Sequence, residues 1–82
     1  HNGSLVRYFS GGHTSPIFSL GLASNGTLVS GGTNGLIVLW DLYTGELTRT
    51  LTETGMGSVL NLLLLNNEYL ASSDESNRIR IW

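Results

Sequence analysis

The stretch TLVSGGTNGLIVLWD, residues 27–41, contains the pattern that decides the fold of this 82-residue chain. Two apolar runs of strand length flank Thr33-Asn34-Gly35, whose small and polar residues are typical of a tight turn. The second tryptophan of the chain, Trp82, ends a similar run 42 residues after Trp40. The stretch therefore predicts a β-hairpin that the chain contains twice.

Internal repetition extends over the whole chain. A shift of the sequence against itself by 42 residues needs no gap, and ten of the forty aligned pairs are then identical. Chance identity of roughly one in fifteen would give about three. The identical pairs include Ser30/Ser72 and Trp40/Trp82. We predict two diverged copies of one unit, residues 1–42 and residues 43–82.

Turn signals divide each unit into four short strands. In the first unit, Asn25-Gly26 follows the apolar run 17–22, and Tyr43-Thr44-Gly45 separates the run that ends at Trp40 from the run 47–51. No segment of ten residues or more carries a helical apolar stripe with caps. The expected fold class is all-β, with two four-stranded antiparallel sheets and no helix.

Composition excludes several kinds of function. A formal net charge of −2 and 12% charged residues provide no basic field for nucleic acid or an anionic membrane. The absence of cysteine excludes disulfides and thiolate zinc sites. The longest apolar run, Leu62 to Leu65, is far below the roughly 18 residues that span a bilayer, and no signal-peptide pattern is visible. We predict no cofactor, metal, nucleic-acid or membrane partner.

Three motifs in order resemble the signature of the WD-repeat β-propeller family: Gly12-His13, the run 28–31 and the run 37–41. The second copy has similar runs at 70–73 and 79–82. The resemblance covers essentially the whole chain. It implies that each unit is one four-stranded propeller blade, whose strands follow the family order d, a, b, c within each period.

The resemblance also implies a hydrogen-bonded network within each blade. Family repeats build it from the histidine after glycine, a serine on the second strand, the tryptophan on the third and a turn aspartate. The matching residues are His13, Ser30, Trp40 and Asn34 in the first copy, and Ser72 and Trp82 in the second. Gly55 and Ser76 stand where the second copy would have its histidine and aspartate, so we expect the second blade to be less rigid.

A candidate binding surface follows from the same resemblance, because family members bind peptides or proteins at the mouth of the channel. The matching positions are Pro16, Phe18, Val29, Ser58, Leu60 and Ala71. Two interpretations of Phe18 stay open. Strict alternation with Leu20 and Leu22 places Phe18 in the core. A β-bulge near Ser19 places Ile17 there instead, and Phe18 is then free to line the channel.

Two blades cannot close a propeller, which needs roughly four to eight. Their bare outer faces predict association of the chain with copies of itself. The first strand of the chain is expected to complete the open sheet of the next copy, and its residues are Leu5, Val6, Arg7, Tyr8 and Phe9. We expect a ring of four copies, with three as the alternative. An engineered fragment fits this ring, and the alternative origin is a part excised from a larger natural WD-repeat scaffold.

Catalysis has little support in the sequence. His1 is terminal, His13 has a structural role by resemblance, and no carboxylate lies near it in the sequence to orient the ring. The acidic pair Asp74-Glu75 and the alternating Arg78 and Arg80 are interpreted as solvated surface. The sequence therefore predicts a non-catalytic scaffold for protein interactions.

Overall fold

A computed structural model describes residues 3, 8–22, 26–53, 55–65 and 69–82 of the chain. The described residues form seven strands and no helix, and thus no helix that could cross a membrane. The strands are β1 (Ile17–Leu22), β2 (Thr27–Gly32), β3 (Ile37–Asp41), β4 (Leu47–Leu51), β5 (Val59–Leu64), β6 (Leu70–Asp74) and β7 (Ile79–Ile81). The predicted all-β class is confirmed.

Two antiparallel sheets make up the architecture. The first has the order β1-β2-β3-β4 and the second the order β5-β6-β7. The turn after β2 contains Gly35 with φ of 80°, and the turn after β6 contains Asn77 with φ of 66°. These residues are 42 positions apart, and glycine and asparagine are the residues that most readily adopt positive φ. The two hairpins thus share one turn geometry.

A β-bulge interrupts the innermost pairing of each sheet. The register shifts between Ile17 and Ser19 in the first sheet, and between Val59 and Asn61 in the second. The bulge places Val59 in the core with no exposed surface, whereas Phe18 stays 61% exposed. The structure therefore contains the predicted bulge, and Phe18 is not a core residue within this chain. Ile17 is itself 48% exposed, and only its counterpart Val59 is buried.

The core lies between the two sheets. Its fully or nearly buried members are Val29, Ile37, Val59 and Leu70, and the side chains packed against them are Leu39, Leu51, Met56, Leu62, Leu64 and Trp82. Gly31 allows the close approach of the sheets, since a Cβ there would lie 2.6 Å from the Val59 Cγ1. The second sheet thus stacks on one face of the first, as a following blade does.

Candidate interaction site

The first polar network joins β2, β3 and the segment before β1. Ser30 Oγ, which is buried, accepts a hydrogen bond from Trp40 Nε1 at 2.8 Å and lies 2.6 Å from His13 Nε2. Because the indole nitrogen only donates, the Ser30 hydroxyl is free to donate to His13 Nε2. The Phe9 ring covers Trp40 edge-on at a centroid distance of 5.7 Å.

Asn34 does not complete this network. Its Oδ1 accepts from Leu36 N at 3.4 Å and its Nδ2 reaches Thr14 at 3.5 Å, so it serves its own turn. His13 Nδ1 is buried without a partner among the described residues. His13 Nδ1 and Asn34 Oδ1 both lie next to Gly32. A Cβ added to Gly32 would lie 2.9 Å from His13 Nδ1 and 3.1 Å from Asn34 Oδ1. Burial lowers the pKa of His13, which favours the neutral ring.

We expect Asn34→Asp to stabilise the fold by about 1 kcal/mol, because a carboxylate would accept from the orphaned His13 Nδ1. The same carboxylate would raise the pKa of His13. Urea denaturation and NMR titration of the ring measure the two effects. Asn61→Asp is the matched control, because it makes the same change of side chain at an exposed position on β5 of the second sheet. An unchanged or smaller free energy of unfolding in Asn34→Asp would contradict the expectation.

The second sheet keeps one part of the network and replaces the rest. Trp82 Nε1 donates to Ser72 Oγ at 2.9 Å, as Trp40 does to Ser30. In place of the histidine pair, Arg80 Nη1 donates to Asp74 Oδ2 at 3.0 Å and Arg80 Nε donates to Glu53 Oε1 at 2.8 Å. This ion-pair network holds the turn and the third strand of the sheet together.

The interpretation of Asp74 and Arg80 as solvated surface is therefore wrong. Their side chains are only 1% and 10% exposed. The repeat explains why, since Asp74 stands where the first copy has Gly32 and Arg80 where it has Val38, and both of those positions are buried. A charged pair that replaces two adjacent buried positions in the other copy is the signal that could have identified it.

The Ser76 hydroxyl, the Ser76 amide and the Arg80 charge, in that order, lower the pKa of Asp74 below its ordinary value of 3.8, against an opposing effect of burial. A depressed carboxyl pKa gives stability that is full above the unfolded-state value and is lost as the pH falls through the folded-state value. We expect Arg80→Met to lose this stability at a higher pH than the unmodified chain.

Chemical denaturation at a series of pH values between about 2 and 6 measures this shift. Arg78→Met is the matched control, because Arg78 is exposed. Equal acid transitions in the unmodified chain and in Arg80→Met would show that Arg80 does not hold Asp74 ionised.

The candidate binding residues separate into three groups by exposure. Pro16, Phe18 and Leu60 are exposed, Ala71 is half-buried, and Ser58 is half-buried with its hydroxyl donating to Thr33 O at 3.0 Å. Val29 is fully buried between the sheets. The second sheet covers it, so Val29 offers a partner no exposed surface within this chain.

The first predicted strand falls largely outside the described residues, which include none of Leu5, Val6 and Arg7. Tyr8 is 80% exposed and Phe9 is half-buried against Trp40, and neither belongs to a strand within this chain.

Two open apolar faces remain. The β1 face consists of Ile17, Leu20 and Leu22 on the outer side of the first sheet, and the β7 face consists of Leu63, Ile79 and Ile81 on the outer side of the second. All six side chains are about half exposed or more. These faces expose six aliphatic side chains on the two outer sides of the described sheets. No group of three or more metal-ligating side chains occurs in that part of the chain.

Each open face corresponds to a face that is buried inside the chain. Addition of 42 to the residues of the β1 face gives Val59, Leu62 and Leu64, which lie in the core. Subtraction of 42 from Ile79 and Ile81 gives Ile37 and Leu39, which lie on the other side of the same core. The two open faces are therefore the counterparts of the two surfaces that pack against each other inside the chain.

Comparison with known proteins gives a family match for the first part of the chain and solved structures of similar fold. Residues 3–41 match the family described as WD domain, G-beta repeat. No curated protein matches the chain. Among solved structures, the computationally designed Ika4 protein is 30% identical with a TM-score of 0.72, and the computationally designed Ika8 protein is 28% identical with a TM-score of 0.74. Each match covers 85% of this chain, which spans 42% of the Ika4 chain and 21% of the Ika8 chain.

Proposed function

This chain carries a WD repeat and folds as two blades of a β-propeller, and from that premise we propose that its copies assemble head to tail into a closed propeller. The closed ring serves as a non-catalytic scaffold for protein interactions. One observation carries the proposal: the β1 face and the β7 face are the counterparts of two surfaces that already pack on each other inside the chain.

Physical chemistry favours this contact. Burial of apolar area contributes roughly 25 cal/mol per Å², and the six residues of the two faces are all aliphatic. The contact joins two different surfaces, so repetition gives a ring when the rotation closes. The internal packing supplies a rotation that suits a propeller, because it is the arrangement of two successive blades. Closure would leave neither apolar face in water.

The first strand has a place in this ring. Phe9 packs on Trp40, and the residue 42 positions later, Leu51, shares a core cluster with Trp82. Leu51 pairs with Ile37 in the β3–β4 ladder, so Phe9 of one copy would pair with Ile79 of the preceding copy. The strand of residues 5–9 would then complete the three-stranded second sheet, and β7 would no longer be an edge.

Four copies are favoured over three. Each structural match covers 85% of the 82 residues, about 70 residues. This stretch is 42% of the Ika4 chain and 21% of the Ika8 chain, so those chains have about 167 and about 330 residues. These lengths equal about four and eight periods of 42, that is, two and four chains of this size. Four copies would provide eight blades and three copies would provide six, both within the range of known propellers.

The exposed residues near the inner strands provide the interaction surface of the scaffold. Pro16 directly precedes β1 and Phe18 is its second residue, and Ser58 and Leu60 are their counterparts at β5. Repetition around the ring would place four or three such sets at one mouth of the channel. Aromatic and apolar side chains there suit a peptide or protein partner, whereas His13 is occupied by Ser30 and offers no free catalytic base.

Native mass spectrometry and light scattering test the proposal. The ring predicts a mass of four times 8.8 kDa, about 35 kDa, or about 26 kDa for three copies. Removal of residues 1–9 should abolish the assembly, because the second sheet then loses its fourth strand. A folded chain with the mass of one copy would overturn the ring and favour a part of a larger WD-repeat scaffold.

A further inference from the structure

We propose that the joint between copies is packed differently from the joint inside the chain. In this proposal Leu63 of one copy contacts Leu20 and Leu22 of the next, and fills space that Ala71 leaves empty. The inference rests on the proposed ring, and it identifies the residues by which one copy recognises another. It depends on one cross-strand pair in each sheet. In the first sheet the inner strand carries the small residue of the pair, and in the second sheet the inner strand carries the large one.

Inside the chain, the innermost strand contributes no side chain at one of these positions. Gly21 is the cross-strand partner of Val29, and Val29 is completely buried. A Cβ on Gly21 would lie 3.5 Å from Leu62 Cβ and 3.8 Å from Leu64 Cδ1. The valine on β2 therefore fills the joint here, and a Cβ on Gly21 would already be in van der Waals contact with the leucines of the second sheet, which leaves no space for a longer side chain.

The second sheet reverses this arrangement. Its corresponding cross-strand partners are Leu63 on β5 and Ala71 on β6. Leu63 is 62% exposed within the chain. By the period of 42, the residues that approach it from the next copy are Leu20 and Leu22, the counterparts of Leu62 and Leu64. The leucine side chain thus points at these two residues and lies beside the small Ala71, since cross-strand Cβ atoms are about 5 Å apart.

Sterics also argue against an unchanged copy of the internal joint. Gly31 lies so close to Val59 that a Cβ there would be 2.6 Å from the Val59 Cγ1. The corresponding pair between copies is Ser73 and Ile17, both of which are larger. The two sheets must therefore separate or rotate near this end. A shift of this kind makes room for Leu63, which a strict copy of the Gly21 environment would not accept.

A double-mutant cycle on assembly tests the inference. Leu63→Ala would leave a cavity and Ala71→Val would overfill the joint, so each is expected to weaken association about tenfold or more. Leu63→Ala combined with Ala71→Val restores the pattern of the Gly21–Val29 pair, with a small residue on the inner strand and a valine on the strand beside it. We expect this double variant to associate within about threefold of the unmodified chain.

Sedimentation velocity over a dilution series measures association, and circular dichroism verifies the fold of each variant. Tyr43→Ala is the control, because it truncates an exposed side chain in the turn between β3 and β4, outside both open faces and outside the interaction surface. Leu63→Val provides a milder change, expected to weaken association about threefold, should the alanine variant lose its fold.

The outcomes separate this inference from the ring itself. An unmodified chain that stays a single copy at all concentrations overturns the ring and this joint together. A ring in which Leu63→Ala associates as tightly as Tyr43→Ala overturns the joint alone. A ring in which the double variant loses as much as the two single variants combined also overturns the joint, because independent effects would mean that the two side chains do not share one space.

Discussion

Leu20→Glu is expected to reduce the assembly to single chains of 8.8 kDa. Leu20 lies in the middle of the β1 face and is 65% exposed within one chain. Its counterpart Leu62 packs against the core between the sheets. Burial of a carboxylate in such a place without a partner costs several kcal/mol, and every joint of the ring would contain one. Association should weaken by at least about a hundredfold.

Tyr43→Glu is the matched control for this substitution. Tyr43 is 73% exposed in the turn between β3 and β4, outside both open faces, and it receives the same charge. Light scattering should detect a ring for Tyr43→Glu and a single chain for Leu20→Glu at the same concentration. Circular dichroism should show strands in both, because Leu20 faces water in the single chain. A ring that persists in Leu20→Glu would mean that β1 is not part of the joint.

The strands could be predicted from the sequence because their signals are local. Asn-Gly and Gly turns and strand-length apolar runs define β1 to β4, and the period of 42 transfers the pattern to β5, β6 and β7. The sequence could not decide between a bulge and strict alternation in β1, because Ile17 and Phe18 are both apolar. Only the second sheet, which buries Val59 and leaves Leu60 41% exposed, decides between them.

The ion pair within the second sheet could not be predicted from local pattern. Arg80 alternates with apolar neighbours and Asp74 precedes a turn, and both features are typical of solvated surface. Arg80 also pairs with Glu53, which supplies a carboxylate from the segment after β4. A contact between residues 27 positions apart has no local signature. Val29 illustrates the same limit, since its burial requires the neighbouring sheet.

Trp40→Phe separates two contributions of the first polar network. It keeps an aromatic ring near Phe9 but removes the Nε1 hydrogen bond to Ser30. The loss of one hydrogen bond to a buried hydroxyl is expected to cost about 1 to 2 kcal/mol. This variant therefore measures the hydrogen bond with much of the packing preserved, and it provides the reference for the larger substitution at the same position.

Trp40→Ala is expected to unfold the first blade or to leave it barely stable. The side chain is 1% exposed and is the largest buried group of the described residues. Its truncation removes contacts with Phe9 and with the chain at Gly12, where a Cβ would lie only 2.8 Å from the ring. Loss of a buried tryptophan costs about 3 to 5 kcal/mol, a large share of the roughly 5 to 15 kcal/mol that stabilises a domain. Urea denaturation followed by circular dichroism measures this cost in the free energy of unfolding. If Trp40→Ala lost no more stability than Trp40→Phe, packing around the indole would contribute little. The first blade would then depend mainly on the hydrogen bond to Ser30.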